Sequence, residues 1–113
     1  MTSELEGDLL ENIKSFMKSA KLVYLSVDYT SAAVIYFKAL FSVLDLLILN
    51  EKGFVPKDHS ERFRVLEETH EDYYNWLDKN FEIYRNSYTI KIGKEDCDVV
   101  KEFVEGIAAK QGI

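Results

Sequence analysis

Hydrophobic residues recur along most of this chain at steps of three and four, which is the spacing of one helix face. Leu9, Ile13, Phe16, Met17, Ala20, Tyr24 and Val27 define such a stripe, with Lys14, Lys18 and Lys21 on the other side, and predict a helix over 3–26. A tight connection, Asp28-Tyr29-Thr30, leads into a second helix over 31–52, with Thr30 as its expected N-cap. So short a joint between long helices implies an antiparallel hairpin. Gly53 can take the left-handed position past the helix end, Phe54 can fold back as its apolar partner, and Pro56 prevents continuation. Asp58 and Glu61 then stand at capping-box spacing and open a third helix carrying Phe63, Val65 and Leu66. Thr69 followed by Glu71 and Asp72 reads as a second start, so the segment 59–88 is expected to break near Thr69. Tyr73, Trp76, Leu77, Phe81, Tyr84 and Tyr88 stripe its second part. Thr89 to Gly93 alternates polar and apolar but is too short to build a sheet, and is expected to be an extended connector. The last helix, over 95–109, has Glu95 and Asp96 where the helix dipole favours negative charge, and Val100, Phe103, Val104 and Ile107 as its core face. The pattern predicts one all-α domain, an up-and-down bundle of four to five helices spanning residues 1–113.

Composition narrows the function classes. The chain has 113 residues, 47% of them hydrophobic, which suffices for one core without disulfide or metal staples. A net charge of −6 and the lack of a Lys/Arg run argue against a non-specific grip on nucleic acid. Cys97 is the sole cysteine, so no internal disulfide and no thiolate cluster can form. No cofactor motif is present. The stretch Ser31–Leu49 is long and apolar enough for a membrane span, but Lys38 and Asp45 interrupt it and no basic flank brackets it. It reads as the central helix of a bundle, with the cytoplasm as the expected compartment and no membrane contact. Lys38 and Asp45 are seven residues apart and cannot pair with each other at short range. Either each has a partner on another helix or, more simply, they mark a stripe reaching solvent.

Candidate chemistry is sparse. There is no phosphate-binding glycine loop, nucleophile elbow or histidine pair at helical spacing. Cys97 shares a face with Val100 and Val104 and reads as an inert core thiol. His59, beside Asp58 and Lys57, is read as an exposed helix-start residue, with acid–base work as the alternative. The carboxylates around His70 read as a solvated acidic face. Arg85 follows Glu82 by three residues and Asp78 by seven. The simplest expectation is an Arg85–Glu82 pair at the helix end; the alternative offers the guanidinium to a phosphate.

Taken in order, SVDYTSAAVIYFKALFSVLDLLILNEKG, VPKDHSERF and IYRNSYTIKI resemble the HEPN domains, small helical domains of prokaryotic type. Asp28-Tyr29, Ala32-Ala33, Tyr36-Phe37, Lys57-Asp58-His59 and Tyr84-Arg85-Asn86 carry the likeness, which runs from about Leu9 to Ile107. The resemblance implies a helical bundle, often a homodimer. It further implies either a binding partner of a minimal nucleotidyltransferase or a metal-independent ribonuclease of the toxin or defence type. The ribonuclease signature is an Arg, a neighbouring polar residue, and a His four to six residues after the Arg. Arg85 and Asn86 match the first two, but Ser87 to Ile92 contain no His. A tyrosine hydroxyl such as that of Tyr88 is too weak an acid, near ~10 in model peptides, to replace a neutral-range base. The expectation is therefore a non-catalytic module that holds a partner, a nucleotide or RNA through Arg85, Asn86, Tyr88, Asp78, His59 and Lys57, with no metal. A degenerate ribonuclease and an oligomerising helical adaptor are the alternatives.

Overall fold

A computed structural model describes residues 3–113. Five helices follow one another: α1 Ser3–Leu25, α2 Tyr29–Lys52, α3 His59–Thr69, α4 Glu71–Asn86 and α5 Lys94–Lys110. No strand occurs among the described residues, so the all-α expectation holds. α1 packs chiefly on α2, α5 lies on another side of α2, and α3 pairs with α4.

α2 is the hub. Ala32, Ala33, Tyr36, Phe37, Leu40, Val43 and Leu44 are all fully buried. Each large apolar side chain removed from water here stabilises the fold by about 1.5–3 kcal/mol. Its length and mean hydropathy of 2.1 would suit a membrane, but 67% of its most apolar window is buried inside this fold. Around it, Ile13 and Ala20 come from α1, Leu66 from α3, Leu77 from α4, and Cys97, Val100, Val104 and Ile107 from α5. Trp76 and Phe103 stack face to face with centroids 3.8 Å apart and lock α4 to α5.

The helix ends follow local chemistry, with some corrections. α2 is capped by Asp28, whose Oδ1 accepts from Ser31 N–H at 3.1 Å. Thr30 is already inside the helix, and its Oγ1 instead accepts from Ile92 N–H at 2.8 Å, pinning the α4–α5 connector to the start of α2. The other end of α2 stops as expected: Gly53 adopts φ +84° and donates its N–H to Leu49 O. Phe54, however, is 41% exposed rather than folded back. Asp58 Oδ1 accepts from Glu61 N–H at 2.8 Å, while Glu61 reaches one residue further back, to Lys57 N–H. The break near Thr69 is present: His70 alone separates α3 from α4. Asn86 rather than Tyr88 ends α4, and residues 87–89 form a turn before an extended piece at 91–93. Val27, between α1 and α2, sits at φ +59°, an unfavourable value for a β-branched residue.

Candidate functional site

His59, Asp45 and Tyr84 meet on the face where the start of α3 and the C-terminal half of α4 lie over the middle of α2. His59 is the first residue of α3 because Asp58 caps it from an extended backbone, φ −160° and ψ 177°. One helical turn on, Arg62 points inward. Its Nε donates to Asp45 Oδ1 at 2.8 Å and its Nη2 to Asp45 Oδ2 at 3.1 Å, a bidentate pair. Both residues are buried, Asp45 at 8% and Arg62 at 7% exposure. Asp45 therefore has a partner on another helix and does not mark a stripe open to water. That corrects the simpler sequence reading. Lys38, by contrast, is exposed.

Arg62 also donates from Nη1 to His59 Nδ1 at 2.7 Å. A guanidinium has no acceptor, so Nδ1 must carry the lone pair and Nε2 the proton. Aromatic rings line one side of the assembly, while His59 stays exposed, as its place at the helix start predicts. Arg62 lies over Phe41, 4.8 Å from its centroid. The His59 ring meets Phe41 at 4.7 Å, Phe81 at 5.4 Å and Tyr84 at 6.0 Å. Desolvation by these rings, followed by the neighbouring Arg62 charge, holds the His59 pKa below its ordinary 6.5. Tyr84 donates to none of them; its hydroxyl accepts from Tyr88 at 3.2 Å, and this bond together with burial pushes its own pKa up to about 12.

The other residues named from the sequence fare differently. Arg85 is exposed at the last turn of α4, and no carboxylate lies within ion-pair distance of it among the described residues. The expected Arg85–Glu82 pair is thus not formed. Tyr88 is 74% exposed and Ile90 56% exposed, just beyond Arg85. Asn86 serves the turn, its carbonyl accepting from Thr89 and Ile90 N–H. Lys57 is exposed and contributes a backbone N–H to Glu61. Asp78 is exposed two turns before Arg85, on the side of Tyr74, whose pKa is raised first by the Glu67 charge, then by burial, and least by Asp78. His59 and Tyr84 are brought together; Arg85 and Tyr88 form the adjoining exposed edge; Asp78 and Lys57 join neither by a side-chain bond.

Comparison with known proteins gives no further lead. No family model matches the chain, and neither curated proteins nor solved structures show a match to it.

Arg62 is the residue that the sequence reading missed. Its signal was present: an Asp inside an apolar helix demands a cation from a neighbour, and Arg62 is the one basic residue of α3 on the side of Leu66. Elsewhere, Cys97 is fully buried, and burial pushes its thiol pKa up to about 11, which fits an unreactive core residue. No group of three metal-ligating side chains occurs among the described residues. An open groove of about 360 Å³ lies at the α3–α4 break between His70, Tyr73 and Lys110, and is lined by none of His59, Arg62, Tyr84, Arg85 or Tyr88.

Proposed function

We infer that this chain is a binding module whose working surface is the exposed edge at the end of α4, formed by Arg85, Tyr88 and Ile90. Tyr and Arg are enriched at recognition surfaces because one supplies rigid amphipathic area and the other a multi-donor cation. The observation that carries the reading is the tautomer of His59. The histidine nearest this edge accepts from Arg62 through Nδ1, so its Nε2 is protonated while the ring is neutral. A nitrogen in that state cannot take a proton from a nucleophile, and a neutral imidazole N–H is a poor acid. The arrangement supports recognition without acid–base catalysis. Asp45, Arg62 and His59 act as the rigid floor of the face, and Arg85 is the cation left available to a partner carboxylate or phosphate.

The HEPN likeness adds a class of partner: a minimal nucleotidyltransferase, with a nucleotide or RNA phosphate as the alternative ligand of Arg85, in the cytoplasm. Arg85→Ala and Tyr88→Ala test the reading by capture from native extract, with thermal melts alongside. Both variants should melt with the wild type, since neither side chain is buried, yet lose the captured partner. Capture that is unchanged in both variants would overturn it.

A further inference from the structure

The turn that ends α1 is strained for no benefit inside the chain. Val27 N–H donates to Tyr24 O at 3.0 Å and Asp28 N–H to Val23 O at 3.4 Å, the paired bonds that close a helix on a left-handed residue. Glycine is the usual occupant of that position, yet here it is Val27, at φ +59°. Its side chain adds little packing in exchange, being 68% exposed. On the last two turns of α1, Leu22 and Leu25 are 61% and 68% exposed, beside exposed Lys18 and Lys21. Neither lysine has a carboxylate three or four residues away in α1, and neither forms an ion pair among the described residues. The α4–α5 connector brings Lys91 to the same end. Ile92 N–H is bonded to Thr30 Oγ1, and Asp28 is held below its ordinary pKa first by its bonds from Ser31 and then by the Lys91 charge.

We propose that this tip, Leu22, Leu25 and Val27 with Lys18, Lys21 and Lys91, docks on the surface of an anionic lipid bilayer. Side chains this exposed project from the bundle and do not line a cleft, so they suit a surface that yields around each of them. The leucine and valine tips enter the headgroup boundary, while the lysine stems lie along them and keep their ammonium groups at the phosphates. Charge sets the orientation. The chain carries −6 overall, and most poses on an anionic surface are repelled. Its acids are concentrated away from the tip. Glu4, Asp8 and Glu11 open α1, and Glu67, Glu68, Glu71 and Asp72 flank the α3–α4 break, where His70 reaches Glu51 at the end of α2. Because α1 and α2 form a hairpin, both groups lie toward the far end of a molecule 40 Å long. At a Debye length of about 8 Å in physiological salt, those acids are screened from a surface that the tip touches. Of the carboxylates near the tip, Asp28 accepts from Ser31 N–H, and Asp98 accepts from Lys94 and Tyr24. Glu95 and Asp96, exposed at the start of α5, are outnumbered by Lys18, Lys21 and Lys91. The contact is peripheral: it revises the expectation of no membrane contact, while α2 remains the buried hub. It does not rest on the Arg85 edge, which it adjoins at Ile90.

Flotation with unilamellar vesicles tests the contact, using phosphatidylcholine alone and an equal mixture of phosphatidylcholine and phosphatidylglycerol. The wild type should float with the mixed vesicles and stay in solution with the neutral ones. It should be released from the mixed vesicles as salt rises to about 1 M, where the screening length falls to ~3 Å. Lys18→Gln with Lys21→Gln should lower partitioning onto the mixed vesicles roughly thirty-fold, at about 1 kcal/mol for each lysine near the surface. Val27→Gly should melt no lower than the wild type, because glycine takes a positive φ freely. It should nevertheless partition about fivefold less, for partial burial of one valine side chain. Leu25→Ser should also partition less, with its helical circular dichroism unchanged. A wild type that never floats leaves the tip to a protein partner and overturns the proposal. Equal flotation on both vesicle types, or a folded Val27→Gly that partitions as the wild type does, overturns it as well.

Discussion

Removing the Arg62 guanidinium is the most severe single change this fold offers outside its apolar core. Arg62→Met keeps the aliphatic volume but deletes two bonds to Asp45 and one to His59. The Asp45 carboxylate, whose side chain is 12% exposed, is then left without a countercharge inside α2. Stranding a buried charge in this way costs about 3–5 kcal/mol. Asp45→Leu alone strands the guanidinium and should cost a similar amount. The double variant removes both charges together and fills the space with apolar atoms, so it should recover most of the loss, as such replacements are often neutral or stabilising by about 1–4 kcal/mol. A urea-denaturation double-mutant cycle reads the coupling directly. In a domain of this size each single variant should melt more than about 10 °C lower. Single losses below about 1 kcal/mol would mean a solvent-screened pair, and additive losses in the double variant would mean that the two residues are not coupled. Either result would refute the assignment of this network as the rigid floor of the face.

Two further outcomes follow from single atoms. Tyr36 is fully buried with a hydroxyl that has no hydrogen-bond partner, so Tyr36→Phe should not destabilise and should gain about 1 kcal/mol in the same denaturation assay; a clear loss would reveal a partner for that oxygen. His59 binds its proton less tightly folded than unfolded, so its contribution to stability is full above the ordinary pKa of 6.5 and is lost as pH falls through its lower folded value. Its NMR titration midpoint should lie below 6.5, and a midpoint above that value would contradict the Arg62 contact and the desolvation by its rings.

The helical architecture was legible because the apolar period of α1, α2 and α5 is long and regular, and because Gly53, Pro56 and the Asp58/Glu61 spacing punctuate it with known end chemistry. Boundaries drifted where two residues compete for one role: Asp28 and Thr30 both suit an N-cap, and the docking of Ile92 on Thr30 decides between them. The polar floor of the site was half legible. Asp45 stood out as a charge in an apolar helix, but the partner that makes it buried comes from seventeen residues away, and periodicity within one helix carries no information about that pairing. Arg85 failed in the opposite direction. An i, i+3 spacing to Glu82 permits an ion pair, yet such exposed pairs gain only about 0.3–0.5 kcal/mol, too little to hold two long side chains in one geometry. His59 was visible as a residue, but its tautomer depends on Arg62, so its chemistry could not be read before the fold was known.

The division between binding and catalysis rests on that tautomer, and one assay addresses it most directly. Single-stranded RNA is incubated with the protein in the presence of EDTA at neutral pH, alongside Arg85→Ala. The account predicts intact RNA with the wild type, because neither nitrogen of His59 is free to accept a proton and the bond from Tyr88, with burial, pushes the Tyr84 hydroxyl's pKa up to about 12. Robust cleavage by the wild type that disappears in Arg85→Ala would contradict it.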